Sequence, residues 1–265
     1  MSIKKLLLRM GYHRCIPSSK LDEFFPMVYP VPFGNNFVRL GSEYDGGYVI
    51  PDDLEGIKAC FSPGVGNTSD FEEDLARLGI PSFMADGSIN ELPNQNDKYH
   101  FTNKYLSDSN SETEIRLTDW INNHFKEEPG YFILQMDIEG AEFAVIYDAP
   151  VEVLIKFRIM AIEFHKMDML FSKGGFDLIR FTFAKLLKCF SVVNIHPNNV
   201  CKPFTYGEFL IPPCMEFTFL RNDRINLDEC KGNDFKISYP HKLDSPNKPE
   251  RFDYPLPKCW YTPGD

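Results

Sequence analysis

The stretch Tyr131-Phe-Ile-Leu-Gln-Met-Asp137-Ile-Glu139-Gly140-Ala-Glu142 constrains the fold more than any other part of the chain. A short apolar run stops at two carboxylates and a glycine, then resumes as a helix-like segment from Ala141 to Tyr147. A fully buried parallel strand reads as such a run, and its carboxyl end brings polar groups to the edge of an open α/β sheet, where ligands bind. The pattern recurs in Ile159-Met-Ala-Ile-Glu163-Phe-His165 and in Val192-Val-Asn-Ile-His196-Pro-Asn198-Asn199. Three strand ends thus offer Asp, Glu and His to one edge, which points to a site.

The remaining segments fit the same architecture. Phe37 to Ile50 reads as two short strands around Asp45-Gly46-Gly47. Further strands are expected at Gly56–Phe61, Pro81–Ala85, Tyr99–Thr102, Tyr131–Met136, Phe157–Ile162, Phe190–Ile195 and Cys214–Leu220. Helical patterns lie between them: Phe71–Leu78 ended by Gly79, Asp119–Phe125 capped by Thr118, and Phe176–Cys189. Strands alternating with helices predict a Rossmann-like, doubly wound, mostly parallel sheet of seven strands with helices on both faces. We expect an N-terminal extension over 1–36, an α/β domain over 37–220, and a Pro-rich arm over 221–265 packed on that domain.

Charge and cysteine usage narrow the partners. A net charge of -10 argues against a nucleic-acid footprint, which needs a basic surface. The seven cysteines include no CxxC pair and are odd in number, which fits a reducing, cytoplasmic setting rather than a disulfide framework. The apolar part of residues 1–10 is too short for a signal peptide or a membrane span and reads as a short amphipathic helix. No integral membrane segment is expected.

Ser62-Pro63-Gly64-Val65-Gly66-Asn67 sits where the first sheet strand becomes a helix. Glycines there let a ligand approach the backbone. The loop lacks the third glycine of a dinucleotide fingerprint and the lysine of a P-loop. Asp86, with Gly87 and Ser88, ends the next strand, at a distance where an acidic residue hydrogen-bonds ribose hydroxyls. A plain tight turn explains the loop alone. Loop and acid together mark a nucleoside-bearing cofactor with an uncharged linker.

Asp137, Glu163, His165 and His196 are the chemistry candidates, and Tyr48, Glu139, Asn198 and Asn199 stand near enough to contact a substrate. The structural alternative for Glu139 and Glu142 is a helix start complementing its dipole. For His165 it is a satisfied core histidine, and for Asn198 and Asn199 a turn. A histidine or carboxylate can act as general base; His196 or His165 is the expected base, with Asp137 and Glu163 orienting it or binding a metal. Alternatively Asp137, Glu163 and His196 can hold a divalent ion such as Mg²⁺ or Mn²⁺. Tyr44, Tyr48, Trp120 and Phe164 can wall a ligand or pack the core.

On Asp45-Gly-Gly-Tyr48, Ser62-Pro-Gly-Val-Gly66, Phe71-Glu72, Asp137-Ile-Glu-Gly-Ala-Glu142, Ile162-Glu-Phe-His165 and His196-Pro-Asn-Asn199, the chain resembles the FkbM-type methyltransferases. These are a branch of the class I S-adenosylmethionine-dependent enzymes, and the resemblance covers about residues 37–220. It implies a seven-stranded Rossmann-like sheet and methyl transfer to a hydroxyl of a sugar, glycan or related polyol. It implies that Gly64, Val65 and Gly66 line the cofactor's methionine, that Asp86 binds its ribose, and that Asp137 sits beside the methyl group. Pro63 stands where an acidic residue is usual in this superfamily. Two other functions stay open at the sequence level: a noncatalytic nucleotide-sugar or glycan-binding module, and a metal-dependent hydrolase.

Overall fold

A computed structural model describes residues 15–34, 36–125, 131–225 and 239–261. The amphipathic helix expected over 1–10 lies outside the described residues.

Among the described residues the first helix is α1 (Ser19–Phe24), followed by the hairpin β1 (Phe37–Gly41) and β2 (Gly47–Pro51). Next come β3 (Ala59–Pro63), α2 (Asp70–Arg77), β4 (Ser82–Ala85), β5 (Tyr99–Thr102), and the small pair β6 (Tyr105–Ser107) and β7 (Glu114–Arg116). Then follow α3 (Leu117–His124), β8 (Phe132–Met136), α4 (Glu142–Asp148), α5 (Val151–Leu154), β9 (Phe157–Phe164), α6 (Lys173–Leu186) and β10 (Phe190–Pro197). A short hairpin, β11 (Phe204–Tyr206) and β12 (Phe209–Ile211), leads to β13 (Met215–Arg221).

Seven strands form one sheet in the order β10-β13-β9-β8-β3-β4-β5. Neighbours from β9 through β5 run parallel, while β13 pairs antiparallel with both β9 and β10. The chain winds outward from β3 through β4 to β5, then returns to β8 on the other side of β3. The order therefore reverses between β3 and β8, and ligands of open α/β sheets bind outside such a reversal.

Alternation along the strands splits the core in two. Phe61, Phe132, Leu134, Met160 and Ile162 face a large cluster built with α3, α4 and α6. Cys60, Ile133, Ile159 and Ala161 face a second cluster with Phe71 and Leu75 of α2 and Tyr48 and Ile50 of the hairpin. Phe71 and Leu75 are four apart and share one helix face. The acids Asp70, Glu72 and Glu73 open α2 and Arg77 closes it, which suits the helix dipole. Gly79 then takes a left-handed φ of 83° beyond its end.

Described segments toward both ends of the chain join the larger cluster. Leu21 and Phe24 are buried in it, and Trp260 is wholly buried with its ring 4.8 Å from that of Phe25. Burial of a side chain of this size stabilises by roughly 1.5–3 kcal/mol.

Two helix starts differ from expectation. The third helix begins at Leu117 with no side-chain cap, and Thr118 Oγ1 has no hydrogen-bond partner. The helix expected from Phe176 begins at Lys173 because Ser172 caps it, its Oγ accepting from the Gly175 N–H at 3.2 Å. His196, expected in a turn, is the penultimate residue of β10, because pairing with Glu216 extends the strand.

Candidate functional site

The carboxyl ends of β3 and β8 touch at the reversal. The Asp137 N–H donates to the Pro63 carbonyl at 3.3 Å, and the Gly64 N–H donates to the Ala85 carbonyl at 2.9 Å. Gly64 has φ 87°, and a Cβ there would fall on the Asp137 carbonyl. Glycine is needed at 64 for both reasons. One turn later the Gly66 N–H donates to Asp86 Oδ2 at 2.9 Å. Asp86 Oδ1 accepts from the Ser88 N–H at 2.7 Å and from Ser88 Oγ at 2.6 Å. Asp86 thus clips the glycine loop to the end of β4. Gly87 has no room for a side chain because the Tyr105 ring lies against it.

Above these ends is a cavity of about 790 Å³, within the range of small-molecule sites. Of the sequence candidates, Tyr48, Gly64, Val65, Gly66, Asp86, Ser88, Asp137 and Glu139 line it. Among the described residues, seven of those lining it are acidic (Asp45, Asp70, Glu72, Asp86, Glu114, Asp137 and Glu139), against one lysine, Lys248 from the C-terminal arm. In its floor, buried Ser62 hydrogen-bonds Glu72 and Gln135. Burial raises the Glu72 pKa, opposed by the Ser62 bond.

Behind Asp137 runs a row of polar side chains across the sheet. His196 pairs in register with Glu216, and Glu216 with Glu163. Met136 pairs with Ile162, so Asp137 continues the row beside Glu163. Opposed positions share a face, and this face is the one beneath Tyr48 and the hairpin. Glu163 is buried, and its Oε1 accepts from Asn198 Nδ2 at 2.9 Å and from the Cys214 thiol at 2.7 Å. Burial, then the charges of Asp137 and Glu216, push the Glu163 pKa well up. Burial likewise raises Asp137 to about 7, against the pull of His165 and with the push of Glu139 and Glu142. Tyr48 is raised well above its ordinary value by burial and by the same carboxylates.

His165 stands at the centre of the acids. Its Nδ1 lies 3.0 Å from Glu142 Oε1. Its Nε2 lies 3.5 Å from Glu139 Oε2, 3.6 Å from Glu163 Oε1 and 3.8 Å from Asp137 Oδ1. Burial pulls its pKa down, but Glu142, Asp137 and Glu139 outweigh that and raise it. The turn that makes this possible is tight. Glu139 adopts a left-handed φ of 58° and Gly140 follows at 111°. Glu142, fully buried at the start of α4, gathers the turn by accepting from the Gly140 N–H at 2.9 Å and the Ile138 N–H at 3.3 Å.

The other candidates lie off the cavity wall. His196 is buried with Nδ1 3.3 Å from Glu216 Oε2. Burial lowers its pKa, but the charges of Glu216, Asp244 and Asp253 raise it on balance. Asn198 holds Glu163, and its carbonyl accepts from the Tyr254 hydroxyl at 2.6 Å. Asn199 pairs with the Lys248 backbone in both directions, at 2.9 and 2.8 Å. Trp120 and Phe164 are core residues. Ser62, Glu72 and Gln135 stand inside the sequence motifs without a role of their own, and Glu216, Asn247 and Lys248 escaped the sequence reading. A lone acid in an apolar strand was the signal available for Glu216 and the same alternation for Gln135. Asn247, whose Nδ2 donates to Glu216 Oε1 at 2.7 Å, carried none.

No protein-family model matches this chain, and a search among curated proteins finds no match either. Among the described residues, no helix is long and apolar enough to cross a membrane.

Proposed function

We propose that this chain is an S-adenosylmethionine-dependent O-methyltransferase of the FkbM type, acting on a hydroxyl of a sugar, glycan or related small polyol. The observation that carries this is the cavity's charge. Seven acids against one lysine suit a cationic sulfonium nucleoside and repel a pyrophosphate. The loop agrees, since the Gly64 and Gly66 N–H groups are spent on Ala85 and Asp86 and are not free to cradle phosphate. This weighs against the nucleotide-sugar module. The sheet is read as a doubly wound Rossmann-like fold closed by its antiparallel last strand, β13.

In this reading Gly64, Val65 and Gly66 face the cofactor's methionine, and Asp86 with Gly87 and Ser88 forms the ribose end. Tyr48 and Glu139 face the acceptor, and Asn198 and Asn199 support the wall from behind. Held there, S-adenosylmethionine would supply an electrophilic methyl group to the acceptor oxygen and would leave as neutral S-adenosylhomocysteine. The acceptor proton passes to Asp137, whose pKa of about 7 suits a general base at neutral pH. The unpaired state of all six described cysteines supports a cytoplasmic setting.

Calorimetric titration with S-adenosylmethionine and S-adenosylhomocysteine tests the proposal. The cationic cofactor is expected to bind more tightly than the neutral product, and Asp137→Asn to shrink that preference. Asp86→Asn is expected to weaken both by about tenfold or more. Absence of binding for either at millimolar concentration would overturn the assignment. One observation favours a second function: the imidazole among carboxylates suits a metal-dependent hydrolase, which predicts metal binding without S-adenosylmethionine binding.

A further inference from the structure

Glu142 Oε1 already accepts from the Gly140 and Ile138 N–H groups, so its 3.0 Å contact with His165 assigns the proton to Nδ1. That leaves Nε2 facing outward at Glu139, Glu163 and Asp137, all acceptors as carboxylates. A bare lone pair aimed at three carboxylates is repulsive, so a cation belongs between them. A proton on Nε2 would draw one oxygen in to about 2.7–2.9 Å. None comes closer than 3.5 Å, and the three distances differ by only 0.3 Å. Ligands around a metal with bonds near 2.1 Å stand about 3.4 Å apart in a tetrahedral arrangement. His165 also belongs to two compact sets of potential ligand atoms among the described residues, one with Glu163 and Cys214 and one with Asp137 and Glu142, each set lying within 4.8 Å.

A second observation is independent of that spacing. Among the described residues, Glu163 Oε2, Asp137 Oδ1 and Glu142 Oε2 are buried and have no hydrogen-bond partner, and the Glu163 side chain is only 4% exposed. Among the described residues, the ion-pair partner of all four carboxylates is His165 alone. Buried carboxylates left this way are costly unless a charge meets them.

We propose that His165 Nε2, Glu163 and Asp137 bind one divalent first-row metal ion, with Glu139 at its open side and Glu142 as the positioning residue for the imidazole. This differs from a site through His196, which faces Glu216 instead. One imidazole with two or three carboxylates suits Mn²⁺, Fe²⁺ or Zn²⁺ better than a thiolate metal. The Cys214 thiol is spent as a donor to Glu163, and together with Asn198 it orients that ligand from behind. Ion binding does not depend on the methyltransferase reading. Its role does: with Asp137 taken up as a ligand rather than as a free base, the cation would lower the pKa of an acceptor hydroxyl.

The test uses the full chain after chelator treatment, with no nucleoside present. Mn²⁺ is titrated by calorimetry and followed by electron spin echo spectroscopy. We expect one Mn²⁺ per chain with nitrogen modulation from one imidazole. His165→Ala is expected to abolish the modulation and weaken affinity at least tenfold, and Glu163→Gln to weaken it similarly with the modulation kept. The wild-type spectrum decides even if a variant fails to fold. Bound Mn²⁺ without nitrogen modulation, or no heat with Mn²⁺, Mg²⁺ or Zn²⁺ at millimolar concentration, overturns the site. Nucleoside titration in chelator is read separately. Metal without S-adenosylmethionine removes the methyltransferase and keeps the site; the reverse removes the site alone.

Discussion

The carbonyl of Asp137 occupies the space that a Cβ on Gly64 would fill. The glycine loop and the acid that ends β8 are thereby pressed together at the strand-order reversal. Gly64→Ala must both strain a left-handed φ and push Asp137 away. We expect a loss of at least about 2 kcal/mol in urea unfolding, together with loss of nucleoside binding. Wild-type stability in this variant would refute the close packing.

Asp137 is expected to cost the metal-free fold stability in exchange for chemistry. Its folded pKa of about 7 lies above the ordinary 3.8, so the folded state holds the proton more tightly than the unfolded chain. Its contribution is favourable at low pH and is lost as pH rises from about 4 to 7. Asp137→Asn removes that loss. In chelator at pH 7.5 we expect its Tm to rise by about 2–4 °C, as roughly 1 kcal/mol would give. Turnover should fall at least about 100-fold, the usual worth of a general base. A lower Tm at that pH would contradict the burial argument.

Much of this was legible in the chain because buried strands leave a strong mark. Tyr99–Thr102 matches its strand residue for residue, and the runs ending at Asp137 and Glu163 announced the central strands. The limits of helices were less visible, since Thr118 looked like a cap but its neighbours Leu117 and Trp120 are pulled inward by the core. The site was legible where its groups sit on strand ends. His165 and Glu142 were both in view, yet their 3.0 Å contact needed a three-dimensional turn through Glu139 and Gly140. Lys248 was invisible because nothing local ties residue 248 to a cavity formed around residues 64 and 137.

His196 is buried against Glu216, with Asp244 and Asp253 also facing it, and is expected to act on stability. Its pKa is raised on folding, so its contribution is complete below the ordinary value near 6.5. That contribution is lost as pH rises through the raised value. His196→Gln should therefore be most destabilising at pH 5.5–6 and progressively less so toward pH 9, read from paired denaturation curves. A stability difference that is flat or grows with pH would show that the imidazole is neutral in the fold.

Asn199 governs the lysine in the cavity without touching the cavity. Its side chain makes both hydrogen bonds to the Lys248 backbone, and Lys248 Nζ reaches within 3.7 Å of Asp45 Oδ2. Asn199→Ala leaves the Lys248 N–H unpaired, at a cost of about 1–3 kcal/mol, while the Lys248 carbonyl keeps the Arg251 N–H at 3.1 Å. The loss should appear locally, as faster hydrogen exchange over 239–261 with the central strands unchanged. Nucleoside affinity should shift by only a few-fold, because the acids that face a sulfonium stay in place and one opposing cation is released. Unchanged exchange in the arm would mean that Trp260, buried against Phe24 and Phe25, holds it unaided.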